Sequence, residues 1–132
     1  NIIGIKEASG NFEKSMKIIK NKPKDFLFIS GDDAITLPLI ACGGNGVISV
    51  VANAFPKDFS EMVRLALEGN FEKARKLHYK LFDLTQSIFV DGNPSGIKGL
   101  LSVMNICGEH VRMPLSPVSK SAMNRFEALL GQ

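Results

Sequence analysis

Apolar residues fall into two patterns along this chain, and the change from one to the other divides the sequence. The early part holds three short, nearly unbroken apolar runs: Ile2 to Ile5, Asp25 to Ser30, and Gly46 to Val51. Runs without polar alternation suit parallel strands. Helical periods separate them. Asn11 is placed to cap a helix running to about Ile19, with Phe12, Met16 and Ile19 on one face, and Asn21-Lys22-Pro23 stops it. Asp32 or Asp33 opens a second helix through Leu37 and Ile40 to Gly43-Gly44, with Pro38 tolerated near its first turn. Strand, helix, strand, helix, strand is the rhythm of an α/β fold.

After Val51 the rhythm stops and only helical patterns follow. Pro56 opens a helix carrying Phe59, Met62, Val63, Ala66 and Leu67, and Gly69-Asn70 ends it. Phe71, Ala74, Leu77, Leu81, Leu84 and Ile88 recur at three- and four-residue steps, the mark of a long amphipathic helix. Gly92-Asn93-Pro94 interrupts it. A helix from about Ser95 to Ile106, an extended linker at Arg112 to Pro117, and a last helix from about Ser119 to Leu130 follow.

Three parallel strands cannot close a barrel by themselves. The sequence also opens on Asn1, with no initiator Met, directly in a strand-like run. The expected architecture is therefore the C-terminal half of a (β/α)8 TIM barrel followed by a helical C-terminal extension. Residues 1–67 would supply the last three strands and their helices, and 68–132 the extension. The sequence is expected to begin inside a larger protein.

Composition narrows the functional classes. Forty-five percent of the 132 residues are hydrophobic, enough for a packed core and too many for a disordered tail. Sixteen Lys and Arg against 13 Asp and Glu leave a formal charge of +3. Acidic residues interleave with most of the basic ones, so the concentrated stripe that nucleic-acid binding requires is missing. The basic stretch from Lys14 to Lys24 reads as a solvated helix face and loop. Charges break every apolar run short of a membrane span. Cys42 and Cys107 form no CxxC pair and sit in apolar surroundings, which reads as buried thiols in a reducing, cytoplasmic setting.

Lys6 is the sharpest candidate for chemistry. It ends an apolar strand, and in a TIM barrel the strand ends point at the active site. A lysine desolvated there can stay neutral and form an imine with a carbonyl substrate. The plainer alternative is a strand-end lysine reaching for solvent. Glu7, next along the strand, should point the other way. Ser30-Gly31-Asp32-Asp33 ends the second strand, where Gly31 permits close backbone approach and the aspartates suit a helix cap better than a metal. Gly43-Gly44-Asn45-Gly46 precedes a strand, the wrong order for a phosphate cradle, and reads as a tight turn. His78 reads as a helix-surface residue and His110 as a loop residue.

Asn1 to Gly10, with the run Gly4-Ile5-Lys6-Glu7-Ala8-Ser9-Gly10, resembles the Schiff-base lysine segment of the dihydrodipicolinate synthase family, within the class I pyruvate-dependent aldolases. Ser30 to Asp33, Gly43 to Val50, Asn93-Pro94 followed by Lys98, and Arg112 to Leu115 agree in order and spacing. The Gly4 to Gly10 and Ser30 to Asp33 segments favour the synthase over N-acetylneuraminate lyase and the keto-sugar-acid aldolases. The resemblance implies that Lys6 forms an imine with pyruvate and that the derived enamine attacks L-aspartate-4-semialdehyde. The product would be 4-hydroxy-tetrahydrodipicolinate, in lysine and diaminopimelate biosynthesis. It assigns Gly31 and Ile48 to the pyruvate pocket, mainly through backbone. It implies no cofactor, no metal, no nucleic acid or membrane partner, and a cytoplasmic homotetramer.

The same resemblance says what these residues lack. The family's Thr-Thr pair, its tyrosine proton relay and its semialdehyde-recruiting arginine belong to the N-terminal half. Tyr79, the one tyrosine here, lies in the long helix and is no substitute. The 132 residues alone are expected to be inactive. The alternatives are a sister aldolase acting on sialic acid or a keto-sugar acid, and a noncatalytic half-barrel.

Overall fold

The computed structural model describes residues 1–131. Three strands, β1 (Gly4–Glu7), β2 (Leu27–Ser30) and β3 (Gly46–Val47), form one parallel sheet in the order β1-β2-β3. Helix α1 (Phe12–Asn21) links β1 to β2, and α2 (Thr36–Ala41) links β2 to β3. A 3-10 turn (Val51–Asn53) then leads to α3 (Pro56–Leu67), α4 (Phe71–Ile88), α5 (Ser95–Val103) and α6 (Lys120–Leu130).

Local chemistry accounts for most of these boundaries. Asn11 caps α1 by accepting from the Lys14 amide at 2.9 Å. Asn70 and Ser119 do the same for α4 and α6. Pro56 starts α3, where its missing N–H costs nothing. Pro38 sits in the first turn of α2. The glycine segment between α2 and β3 is the expected tight turn: Gly44 N donates to Leu39 O, and the Asn45 side chain accepts from Phe28 N at 2.9 Å.

Several boundaries differ from the sequence pattern. β1 starts at Gly4 instead of Ile2, and Lys6 lies inside it. Ile2 and Ile3 are 80% and 71% exposed. β3 has two residues, not six, because the chain turns into the 3-10 segment. α2 begins at Thr36, after both aspartates, and α5 ends at Val103. Met16 points outward, and Ser15 occupies the buried face of α1 in its place. Leu67 is also exposed. Both cysteines are exposed, not buried. Cys42 falls at the C-cap of α2 and Cys107 in the loop beyond α5, where chain geometry outweighs the apolar character of their neighbours.

The main core lies among the helices. It joins Leu37 and Ile40 of α2, Phe59, Met62 and Ala66 of α3, Ala74, Leu81, Leu84 and Ile88 of α4, and Leu100 and Phe126 of α5 and α6. The most extensive helix pairing is α3 with α4, so this core runs across residue 67 without interruption. Among the described residues no helix is long and apolar enough to cross a membrane.

The sheet is covered on one face only. Phe28 and Ser30 are buried beneath the helices, whereas Leu27 is 40% and Ile48 58% exposed. The apolar runs imply cover on both faces, and these residues supply it for one.

Candidate active site

Register decides which side chains meet. Gly4 pairs with Leu27, Ile5 with Phe28, Lys6 with Ile29 and Glu7 with Ser30; Ile29 pairs with Gly46 and Ser30 with Val47. Paired residues in a parallel sheet share a face, and neighbours along a strand alternate. Lys6, Ile29 and Gly46 therefore lie on the bare face. Ile48 continues that row, since its amide extends the ladder to Ser30 O at 2.9 Å. Glu7 turns to the helix side, as the alternation predicts.

Gly31 follows β2 directly, and its amide donates to Glu7 O at 2.7 Å. A Cβ at Gly31 would stand 2.8 Å from Lys6 Cε and 2.6 Å from Ala8 Cβ. The Lys6 side chain thus lies across the Gly31 backbone, in space only a glycine leaves free. Lys6 and Gly31 are in contact, and Ile48 lies on the next strand of the same face. The expected desolvation of Lys6 is not met within these residues. Lys6 is exposed, because no described element packs over this face.

Beneath Lys6 sits a carboxylate. Glu7 is 7% exposed. Its Oε1 accepts from Ser9 N at 3.1 Å and Lys14 Nζ at 3.0 Å, and its Oε2 from Ser15 Oγ at 3.1 Å. Donation from Ser9 foremost, then from Lys14 and Ser15, outweighs burial and lowers the Glu7 pKa from 4.5 to about 2. The network ties the end of β1 to the first turns of α1, fixing the strand on which Lys6 stands.

The two aspartates have separate tasks. Asp32 Oδ1 accepts from Ala34 N at 3.0 Å, closing the turn before α2. Asp33, 2% exposed, reaches across to the segment after β3, where Ser49 Oγ and Val50 N donate to it. Burial raises its pKa, against the hydrogen bonds from Ser49, Val50 and Val51. Among the described residues no group of three or more His, Cys, Asp or Glu is placed to hold a metal ion.

A cleft of about 310 Å³ opens at the C-terminal ends of β1 and β2, lined by Ala8, Gly31, Asp32, Ala34, Thr85, Gln86 and Phe89. The last turn of α4 thus forms one wall of the space next to Lys6. His78, half-buried on α4 beside Tyr79 and Phe82, takes no part, and burial lowers its pKa. His110 is an exposed loop residue.

The model of the dihydrodipicolinate synthetase family matches residues 1–132. The chain belongs to that family. It is 51% identical over its whole length to the 4-hydroxy-tetrahydrodipicolinate synthase of Phocaeicola vulgatus and 49% identical to that of Flavobacterium psychrophilum. It covers 44% and 45% of those proteins, so it spans less than half the length of these relatives. The crystal structure of dihydrodipicolinate synthase from Aquifex aeolicus superposes with a TM-score of 0.93 at 37% identity, over 99% of this chain and 45% of that one. The three-stranded sheet and its helices are accordingly half of a TIM barrel with a helical extension.

Sequence reasoning missed three features of the site. Alternation along the strand gives Glu7 a direction but no partners; Ser15, a small polar residue on the apolar stripe of α1, is the signal that marks its receptor. The Asp33–Ser49 link joins residues 16 apart and has no local signature. Thr85, Gln86 and Phe89 enter the cleft from α4 and its C-terminal turn, whose periodicity speaks only of its core face.

Proposed function

We propose that this chain carries the imine-forming half of a pyruvate-condensing lyase, with 4-hydroxy-tetrahydrodipicolinate synthase activity in the complete barrel. The observation that carries the reading is the placement of Lys6. It stands on the inner face of a parallel sheet, near the C-terminal strand ends where barrel enzymes place their chemistry, with its side chain seated on Gly31.

In this reading the neutral Lys6 amine adds to the ketone carbon of pyruvate, and loss of water gives a protonated imine. Removal of a proton from the pyruvate methyl group drives its electron pair toward the iminium nitrogen and yields an enamine. The enamine carbon attacks the aldehyde of L-aspartate-4-semialdehyde. The substrate's own amine then closes the ring at the imine carbon and expels Lys6, which leaves as the free amine. Gly31 and Ile48 line the pyruvate subsite through their backbones, and Gly31 also leaves room for the Lys6 stem. The proton donors and acceptors for these steps come from the half of the barrel that these residues do not supply. With Lys6 exposed and the inner face bare, the 132 residues alone are inactive. The working form is a cytoplasmic homotetramer.

The test is borohydride reduction in the presence of pyruvate, followed by intact-mass and peptide mass spectrometry of the naturally expressed polypeptide. A reduced pyruvate adduct on Lys6, with condensation of L-aspartate-4-semialdehyde in a coupled assay, is the expected result. An adduct with turnover only of sialic acid or a keto-sugar acid would move the assignment to a sister aldolase. No adduct would overturn the reading.

A further inference from the structure

Asp33 is the most deeply buried ionisable side chain among the described residues, and the chemistry above gives it no task. Its surroundings do. The β2–β3 ladder ends when Ile48 N donates to Ser30 O at 2.9 Å. From Ser49 onward the chain leaves the sheet, and the Asp33 carboxylate takes over as the acceptor. Ser49 Oγ donates to Oδ1, and Val50 N donates to Oδ2 at 3.1 Å. Ser49 Oγ in turn accepts from Ala52 N at 2.8 Å, which starts the 3-10 turn. One carboxylate thus holds two consecutive residues, and through Ser49 the turn that follows. The residue just before this clamp is Ile48. Its side chain is 58% exposed on the bare face, and no large buried contact holds it in place. Its backbone is fixed by the ladder bond on one side and by the Asp33 clamp on the other.

We infer that Asp33 is a positioning residue for the 2-oxo acid: through Ser49 and Val50 it fixes the backbone of Ile48 on the wall of the pyruvate subsite, and so sets pyruvate affinity. This rests on the functional reading above. A carboxylate suits the task because its two oxygens accept from two donors at once, and a buried acceptor aimed at a strand end is rigid once satisfied. Removing it leaves the Val50 amide unpaired and frees the segment to move relative to Lys6.

The experiment is steady-state kinetics on the naturally expressed polypeptide carrying Asp33→Ala, Asp33→Asn or Ser49→Ala, with borohydride trapping at saturating pyruvate as a second readout. Asp33→Ala is expected to raise KM for pyruvate by about tenfold or more while kcat falls less, as loss of binding-site order demands. Asp33→Asn keeps an acceptor for Val50 and is expected to restore KM to within about threefold of the parent. Ser49→Ala is expected to fall between them. At saturating pyruvate all three still trap the adduct on Lys6. A purely structural role would lower the folded fraction and scale the rate, leaving KM unchanged. Unchanged KM in folded Asp33→Ala and Ser49→Ala overturns the inference; if Asp33→Ala does not fold, Ser49→Ala decides it. Absence of any adduct in the parent protein instead removes the functional reading, and this inference with it.

Discussion

Replacing Gly31 by alanine tests the contact on which the site is built. Gly31 is not in the left-handed backbone region, so alanine meets no backbone strain there and the whole effect comes from one methyl group. That carbon would stand 2.6 Å from Ala8 Cβ, 2.8 Å from Lys6 Cε and 3.2 Å from Ala8 Cα. Relaxed carbon contacts lie at about 3.5–4.0 Å, so the overlap is roughly 1 Å on two sides. Lys6 can swing away at its far end, whereas Ala8 is held by the backbone that follows β1. Overpacking of this degree costs about 1–3 kcal/mol of stability. Displacing a reacting amine by roughly 1 Å costs on the order of 10² in rate. The assay is the borohydride trapping rate of pyruvate at Lys6, read beside urea denaturation of the same protein. A companion double variant, Gly31→Ala with Ala8→Gly, removes the Ala8 Cβ overlap and leaves the Lys6 overlap. It should regain stability and not the trapping rate. If Gly31→Ala traps pyruvate at the parental rate, the Lys6 side chain does not react from its position over Gly31, and the steric account of the site is wrong.

Three further outcomes follow from particular contacts. Glu7 has a folded pKa of about 2 against 4.5, so its network stabilises the fold fully above about pH 4.5 and loses that contribution as pH falls toward 2. The stability gap between parent and Glu7→Gln, measured by denaturation across pH, should therefore be flat near neutrality and shrink below pH 4.5; a gap that widens there contradicts the network. Phe126 is fully buried where α6 packs on α4 and α5. Phe126→Ala should cost about 3–5 kcal/mol in chemical denaturation, and a loss well under 1 kcal/mol would mean that α6 is not docked as described. Lys80 pairs with Asp58 at 2.7 Å between α4 and α3 but is 63% exposed, so Lys80→Ala should change stability by less than about 1 kcal/mol.

Much of the fold is readable from local chemistry. The helix of residues 71–88 follows from apolar residues at three- and four-residue steps, and Asn11, Asn70 and Ser119 mark starts by the same capping bond. The alternation along residues 4–7 by itself separates Lys6 from Glu7. Where local reading failed, a longer-range contact had intervened. β3 is two residues long and the chain after Ile48 is held at Ser49 and Val50 by Asp33, although Gly46 to Val51 reads as one apolar strand. The apolar neighbours of Cys42 and Cys107 point to the interior, yet both residues lie exposed, one at a helix end and one in a loop.

The sequence by itself determined the element types, their order, and the strand that carries Lys6, because periodicity and capping are properties of neighbouring residues. Only the tertiary structure decided that Lys6 rests on Gly31, that Glu7 is held by Ser9, Lys14 and Ser15, and that Asp33 grips Ser49 and Val50. The Lys6 and Asp33 contacts join segments that meet only once strands align in one register and helices pack on one face. That register is set by burial summed over the whole sheet and core, so no single stretch of sequence contains it.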